Sequence, residues 1–422
     1  MLQCGPVHTA TSLALIGATT AVSALAIWEF RSWWRLRHVP GPFWNSLTVF
    51  PLSKLAGTGK ISFVLNDMQK KYGTHHGNSD LSPILLEFAS GMGIFSTDHL
   101  FSIIERKYLS TPTDFRPIDF AHRAQYFTLD VISYLGLGEA FGFLSNDKDM
   151  YDYVAINDST FPIISVLLTI PWADGYMKSW PLNKMLPKDG DNVGFGMLIG
   201  VVSRYVENRL ASGAEEGTDM LQTHIRNGLN ELELKAEIVL ELVAGSDSTA
   251  TAIRVTILAL LNTPLALRTL TREIDQGIAA GRISSPIRMN NKQVPKGGAI
   301  IHGCYLPEGT QLSINVLHMM RSKETFGPDA DVFRPERWIE AAKDEDRYKE
   351  MCNVADLAFG YGKYQCLGKV IAAMELNKLF VELLRRYDFS VVTPHKPMVL
   401  YDAAFWLVYD FNLRVSRRIP QL

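Results

Sequence analysis

Residues 359–368 read FGYGKYQCLG. A single cysteine, Cys366, stands just ahead of a helix-forming run, KVIAAMELNKLFVELLRRYDF, with glycines at 360, 362 and 368 around it and Phe359 at the head. A thiolate at neutral pH needs support, and both the backbone N–H groups of a tight loop and the amino end of a helix supply it. Gly362 permits a turn with positive φ, and Gly368 lets the following helix approach a flat group closely. A lone cysteine in a glycine-bearing turn is more commonly an inert buried thiol. The spacing Phe-x-x-Gly-x-x-x-Cys-x-Gly is far more specific than such a thiol requires, and it suits a strongly donating axial ligand to haem iron.

Two upstream segments belong with the loop. Residues 333–338 read FRPERW, preceded by FGPDADV, and residues 244–249 read AGSDST inside a long apolar run. Together and in this order, these stretches resemble the haem-binding signature, the Pro-Glu-Arg segment and the oxygen-activating helix of the cytochrome P450 family. The general texture is similar to that of its membrane-bound fungal enzymes of secondary metabolism. The resemblance implies haem b, with Cys366 as the iron ligand and Phe359, Gly362, Lys363 and Gly368 in the cofactor-binding loop. It also implies that Gly245, which costs roughly 1 kcal/mol relative to Ala inside a helix, opens a groove over the iron for O2. Asp247 and Ser248 stand where the family keeps an acid and an alcohol, and a carboxylate–alcohol–water relay delivers the protons that O–O cleavage needs. The family usually has Thr where Ser248 stands; Ser keeps the hydroxyl and loses the methyl that restricts its rotamer.

The family pattern breaks in three places. No Glu occurs between Glu273 and Glu308, so the Glu-x-x-Arg helix that the family carries there is absent, the chain passing from RISSPIR to MNNKQVPKGG. In the family that pair forms a buried network with the arginine matching Arg337, and an arginine stripped of such partners costs on the order of 3–5 kcal/mol. No Trp lies between Trp44 and Trp172, so the early Trp-x-x-x-Arg that holds a haem propionate has no counterpart. Tyr364 replaces the basic residue two before the cysteine; Lys363 beside it can reach a propionate as a point charge rather than a fork. Both large gaps are abrupt while their flanks keep the family texture, as a missed coding segment would leave them.

The remaining sequence sets the frame. Lys plus Arg is 42 and Asp plus Glu 44 in 422 residues, a net charge of −2, which lacks the basic surface that nucleic acid requires. Cys4, Cys304, Cys352 and Cys366 form no CxxC pair and fit neither a disulfide scaffold nor a zinc site. From Thr9 to Trp28 no residue is charged, and Arg31, Arg35 and Arg37 follow. Such a run spans roughly 30 Å as a helix, and its basic flank belongs in the cytosol. Ala24-Leu25-Ala26 offers the rival reading of a cleaved signal peptide, but that would want its positive charge before the apolar core. Residues 1–38 therefore read as a membrane anchor with its basic flank, and residues 39–422 as the haem-binding body behind a Val39-Pro40-Gly41-Pro42 hinge.

Helical patterning covers 126–142, 219–227, 231–262, 264–280 and 368–387, whereas 294–312 reads as short strands and turns. The expected fold is mainly α with a minor β portion, an incomplete cytochrome P450 fold behind an N-terminal transmembrane helix. The resemblance implies a monooxygenase at the endoplasmic reticulum membrane, single-pass, with its catalytic body cytosolic. It would oxidise an apolar small molecule with O2 and take NADPH-derived electrons from a separate flavin reductase, since no nucleotide-binding fingerprint occurs here. The other reading is a membrane-anchored, catalytically inactive remnant or a misassembled gene model.

Overall fold

The computed structural model describes residues 50–64, 92–167, 194–213, 219–275, 292–294, 296–301, 303–308, 310–312, 315–362, 365–403 and 405–419, with isolated positions between 19 and 38 and between 169 and 179. Ten helices are used below. They are α1 (Phe50–Ala56), α2 (Met92–Ile103), α3 (Phe120–Leu137), α4 (Tyr153–Leu167), α5 (Gly194–Ser212), α6 (Met220–Arg226), α7 (Glu231–Leu261), α8 (Pro264–Asp275), α9 (Glu345–Asp356) and α10 (Lys369–Arg386). The strands are β1 (Ile118–Asp119), β2 (Lys292–Gln293), β3 (Ala299–Ile301), β4 (Cys304–Leu306), β5 (Gln311–Leu312), β6 (Tyr387–Val391), β7 (Val399–Ala403), β8 (Phe405–Tyr409) and β9 (Asn412–Arg417).

Local chemistry explains where the central helices begin and end. Asn230 and Glu233 form a reciprocal capping box at the start of α7, satisfying two otherwise orphaned N–H groups. From there α7 runs 31 residues, about 46 Å at 1.5 Å per residue. Helix α3 starts on the Asp119 side chain, which accepts the His122 N–H, and stops at Gly138, whose φ of 83° is left-handed. The sequence pattern placed this helix at 126–142; it begins six residues earlier, and Gly138 rather than Gly142 ends it. Beyond that stop the Asp130 carboxylate accepts the N–H groups of Gly142, Phe143 and Leu144 at 2.8–2.9 Å, which turns the chain back onto the helix.

Helices α3 and α7 pack along each other and, with α2, α5, α10 and β9, enclose one main apolar core that includes Phe120, Phe127, Leu129, Ile238, Ile253, Leu379 and Leu413. A second, smaller core holds Val316, Met319, Phe326, Ala341, Met351, Val354 and Ala358. Strand order β1-β9-β6 makes an antiparallel three-stranded sheet, with Ile118 opposite Leu413 and Phe389 opposite Val415. Three hairpin-like pairs, β2-β5, β3-β4 and β7-β8, complete the β portion. The pair β3-β4 and strand β5 lie in the stretch expected to be strands and turns, and β2 falls just ahead of it. Strands β6 to β9 carry more sheet than that stretch predicted. Among the described residues no single helix is long and apolar enough to cross a membrane. The run Thr9–Trp28, on which the anchor expectation rests, lies mostly outside them.

Candidate functional site

The cysteine loop sits between a single helical turn, Leu357–Phe359, and the amino end of α10. Gly362 stands at φ 59°, a left-handed conformation that glycine adopts without strain. The Cys366 N–H donates to the Phe359 carbonyl at 2.6 Å, closing the loop. The Cys366 sulfur is half-buried and accepts the N–H groups of Gly368 and Lys369, with the Lys369 ammonium nearby. Burial nevertheless outweighs these three favourable contacts and leaves the thiol raised above its ordinary value. A metal cation at the sulfur reverses that balance, because coordination deprotonates a thiol outright. Lys369 also pairs with Asp356 at 2.9 Å and lies 5.8 Å from the Phe359 ring. Gly368 would meet the Cys366 sulfur at an ordinary 3.8 Å if it carried a Cβ, so the sulfur itself does not demand glycine there. Lys363 and Tyr364 lie outside the described residues.

Helix α7 carries a polar strip through an apolar environment. Ser246, Asp247, Thr249, Thr251 and Arg254 are all buried. Asp247, only 1% exposed, accepts from Gln125 Nε2 at 2.6 Å and from Asn157 Nδ2 at 2.9 Å. Its carboxyl is pushed up to about 7, chiefly by burial, with Arg254 pulling the other way. At neutral pH it therefore has ready access to both protonation states. Ser248 is less buried, and its Oγ donates to the Ala244 carbonyl at 2.7 Å. Neighbouring residues on a helix point about 100° apart, so Asp247 faces α3 and α4 while Ser248 lies on another flank.

The expectation that Gly245 opens a groove over an iron meets a different occupant. A Cβ on Gly245 would lie 2.8 Å from Cδ1 and Cγ1 of Ile132, so the missing side chain makes room for α3. Arg337 also departs from expectation. It is 5% exposed and is not stripped of partners by the missing Glu-x-x-Arg helix. Its guanidinium donates to Phe326 O, Asp329 Oδ1, Asp329 O, Val332 O and Arg334 O, at 2.6–3.1 Å. Four neighbouring residues supply what the family takes from a distant helix.

Sequence reading missed Gln125, Asn157 and Arg254 as parts of this site. One signal was present: Asp247 and Arg254 are seven residues apart in a mostly apolar helix, hence on one face.

The family model described as Cytochrome P450 matches residues 102–302 and 281–405. Cytochrome P450 monooxygenase ABA1 of Pyricularia oryzae is 38% identical over 352 residues, covering 76% of this chain and 68% of that protein. Cytochrome P450 monooxygenase aba1 of Botryotinia fuckeliana is 35% identical over 346 residues, covering 75% and 68%. The crystal structure of the cytochrome P450DA heme domain shares the fold with a TM-score of 0.60 at 18% identity, over 79% of this chain and 74% of that one. The two family matches overlap at 281–302, around the join where the sequence carries no Glu-x-x-Arg. Because 76% of 422 residues is about 320, the alignment of 352 positions leaves about 30 positions of the Pyricularia protein without a counterpart here.

Proposed function

This chain belongs to the cytochrome P450 family, and from that premise we propose that it is a haem-thiolate monooxygenase of fungal secondary metabolism acting on an apolar small molecule. The family and the fold imply haem with its iron held by a cysteine thiolate. The residues present fit that group: Cys366 offers a half-buried sulfur at the amino end of α10, in contact with two backbone N–H groups and near one ammonium. This arrangement is the observation that carries the proposal. Haem, when bound, supplies the oxidising chemistry with O2.

The protein's own residues do the rest. Cys366 would hold the iron through its sulfur, and the N–H bonds that sulfur accepts would moderate its donation. Phe359, Gly362 and Gly368 shape the loop, and Lys363 would offer a propionate a point charge. Asp247 holds or yields a proton near neutral pH, and the Ser248 hydroxyl, on another flank of α7, would join the relay only through water. Electrons come from NADPH through a separate flavin reductase. The uncharged run Thr9–Trp28 followed by three arginines supports a single-pass anchor in the endoplasmic reticulum membrane with residues 39–422 in the cytosol. The relatives' names as monooxygenases support the reaction class.

The test is the carbon monoxide difference spectrum of the reduced full-length protein. The expected result is a haem-thiolate band that Cys366→Ala abolishes and that Cys304→Ala and Cys352→Ala leave in place. A band surviving in Cys366→Ala overturns the ligand assignment, and no band in the parent chain favours the inactive remnant.

A further inference from the structure

The Asp247 carboxyl is held by amides from two other helices. Gln125 of α3 donates to Oδ1 and Asn157 of α4 donates to Oδ2, and both are buried. The two amides are not equivalent. The Oε1 of Gln125 accepts from Arg254 Nη2 at 3.1 Å, and the same guanidinium donates twice to the Ala121 carbonyl. Turning the Gln125 amide over would set its NH2 against a guanidinium and its oxygen against a carboxylate, so its orientation is locked. Asn157 Oδ1, by contrast, is buried with no hydrogen-bond partner among the described residues. If Asp247 is protonated, the Asn157 amide can turn and accept from the new O–H. Asn157 thus accommodates either state of Asp247, whereas Gln125 favours only the charged one.

We propose that Gln125 is a positioning residue that sets when Asp247 holds its proton, by bridging the Asp247 carboxyl to the Arg254 guanidinium. The proposal rests on Asp247 being a proton carrier. A hydrogen bond donated to the charged form of an acid favours that form, and the bridge also fixes the cation's distance. Other charged and titratable groups face the pair from each packed element. Tyr153 and Asp158 come from α4 and Tyr409 from β8, while His122 and Asp119 at the amino end of α3 act on Arg254. Asp158 and burial raise Asp247, and Arg254 lowers it. Ser246 and Asn157 also lower it, and Gln125 is the neutral group bonded to both the carboxyl and the guanidinium.

The experiment is infrared titration of the full-length protein, following the carbonyl stretch of the protonated acid that disappears in Asp247→Asn. In Gln125→Met, of similar size but without the amide, the midpoint should rise by about one pH unit or more. Ser133→Ala, a buried change on the same helix with no contact to Asp247, should leave it in place. Gln125→Glu keeps a polar group and should also raise the midpoint by placing a second carboxylate beside Asp247, so the proposal stays testable if Gln125→Met does not fold. An unmoved midpoint in a folded Gln125 variant, or an Asp247 already ionised at pH 5 in the parent, overturns the proposal. If the midpoint rises while Asp247→Asn leaves the peroxide yield of the haem-loaded enzyme unchanged, Gln125 retains its role and only the proton-carrier assignment falls.

Discussion

Glu375 offers a measurable pH dependence of stability. It lies on α10, is 9% exposed, and its Oε1 has no hydrogen-bond partner among the described residues. Burial alone raises its carboxyl from 4.5 to about 8. A folded-state value above the unfolded one means that the folded state binds the proton more tightly. The contribution to stability is then fully present below pH 4.5 and is lost as pH rises toward 8. At 1.36 kcal/mol per unit, the loss between pH 5 and pH 8 comes to about 3 kcal/mol, a large share of a typical net stability of 5–15 kcal/mol. Glu375→Gln removes the titration while keeping shape and polarity. Urea unfolding at intervals from pH 5 to 9 should therefore show the variant's advantage over the parent growing by about 4 kcal/mol across that range. Glu375→Leu should show the same slope, whatever its offset. If parent and variants give parallel curves between pH 5 and 8, Glu375 is not held neutral in the folded protein and the reasoning fails.

The remaining predictions concern α7, the amino terminus and the join. Gly245→Ala should destabilise the protein by about 1–3 kcal/mol through overpacking against Ile132, despite a helix-propensity gain of about 1 kcal/mol. Thermal unfolding should show the cost disappearing when Ile132→Ala is combined with it; a cost that persists would place the clash elsewhere. In haem-loaded enzyme, Ser248→Ala should keep its haem and divert reducing equivalents to peroxide, which measurement of peroxide against NADPH consumed will show; unchanged coupling refutes the relay. Removing residues 1–38 should release much of the protein from microsomes, and protection of residues 39–422 from protease in intact vesicles would reverse the orientation. Sequencing the complementary DNA should reveal an insertion near position 288 encoding Glu-x-x-Arg, and another between Pro83 and Ile103 restoring the early Trp-bearing helix. A message matching the 422 residues would refute this and favour the remnant.

Local signals carried most of what could be read from the chain. Asp219 caps α6 and Asn230 caps α7, and both helices fall within a residue of where the periodicity put them. Gly362 adopts the positive φ expected of it. Long-range pairing was not legible in the same way. The β1–β9 ladder joins Ile118 to Leu413, and nothing in either short segment names the other. The Gln125–Asp247 bond spans 122 positions; a polar residue on an amphipathic helix carries no mark of its partner. Gly138 and Gly142 both have left-handed φ, so choosing between them as the stop depended on the Asp130 side chain gathering the intervening turn. Arg337 was misjudged because a missing distant carboxylate is visible in a sequence, whereas nearby backbone carbonyls able to replace it are not.

Arg337 has one more consequence. All its acceptors lie between Phe326 and Arg334, and the small core around it draws on residues 316–358. The stretch is a module that satisfies Arg337 from within itself and is tied onward through Asp356, which pairs with Lys369 at 2.9 Å. The module ends one residue before Phe359, whose carbonyl fixes the Cys366 loop, so it can hand that loop its register.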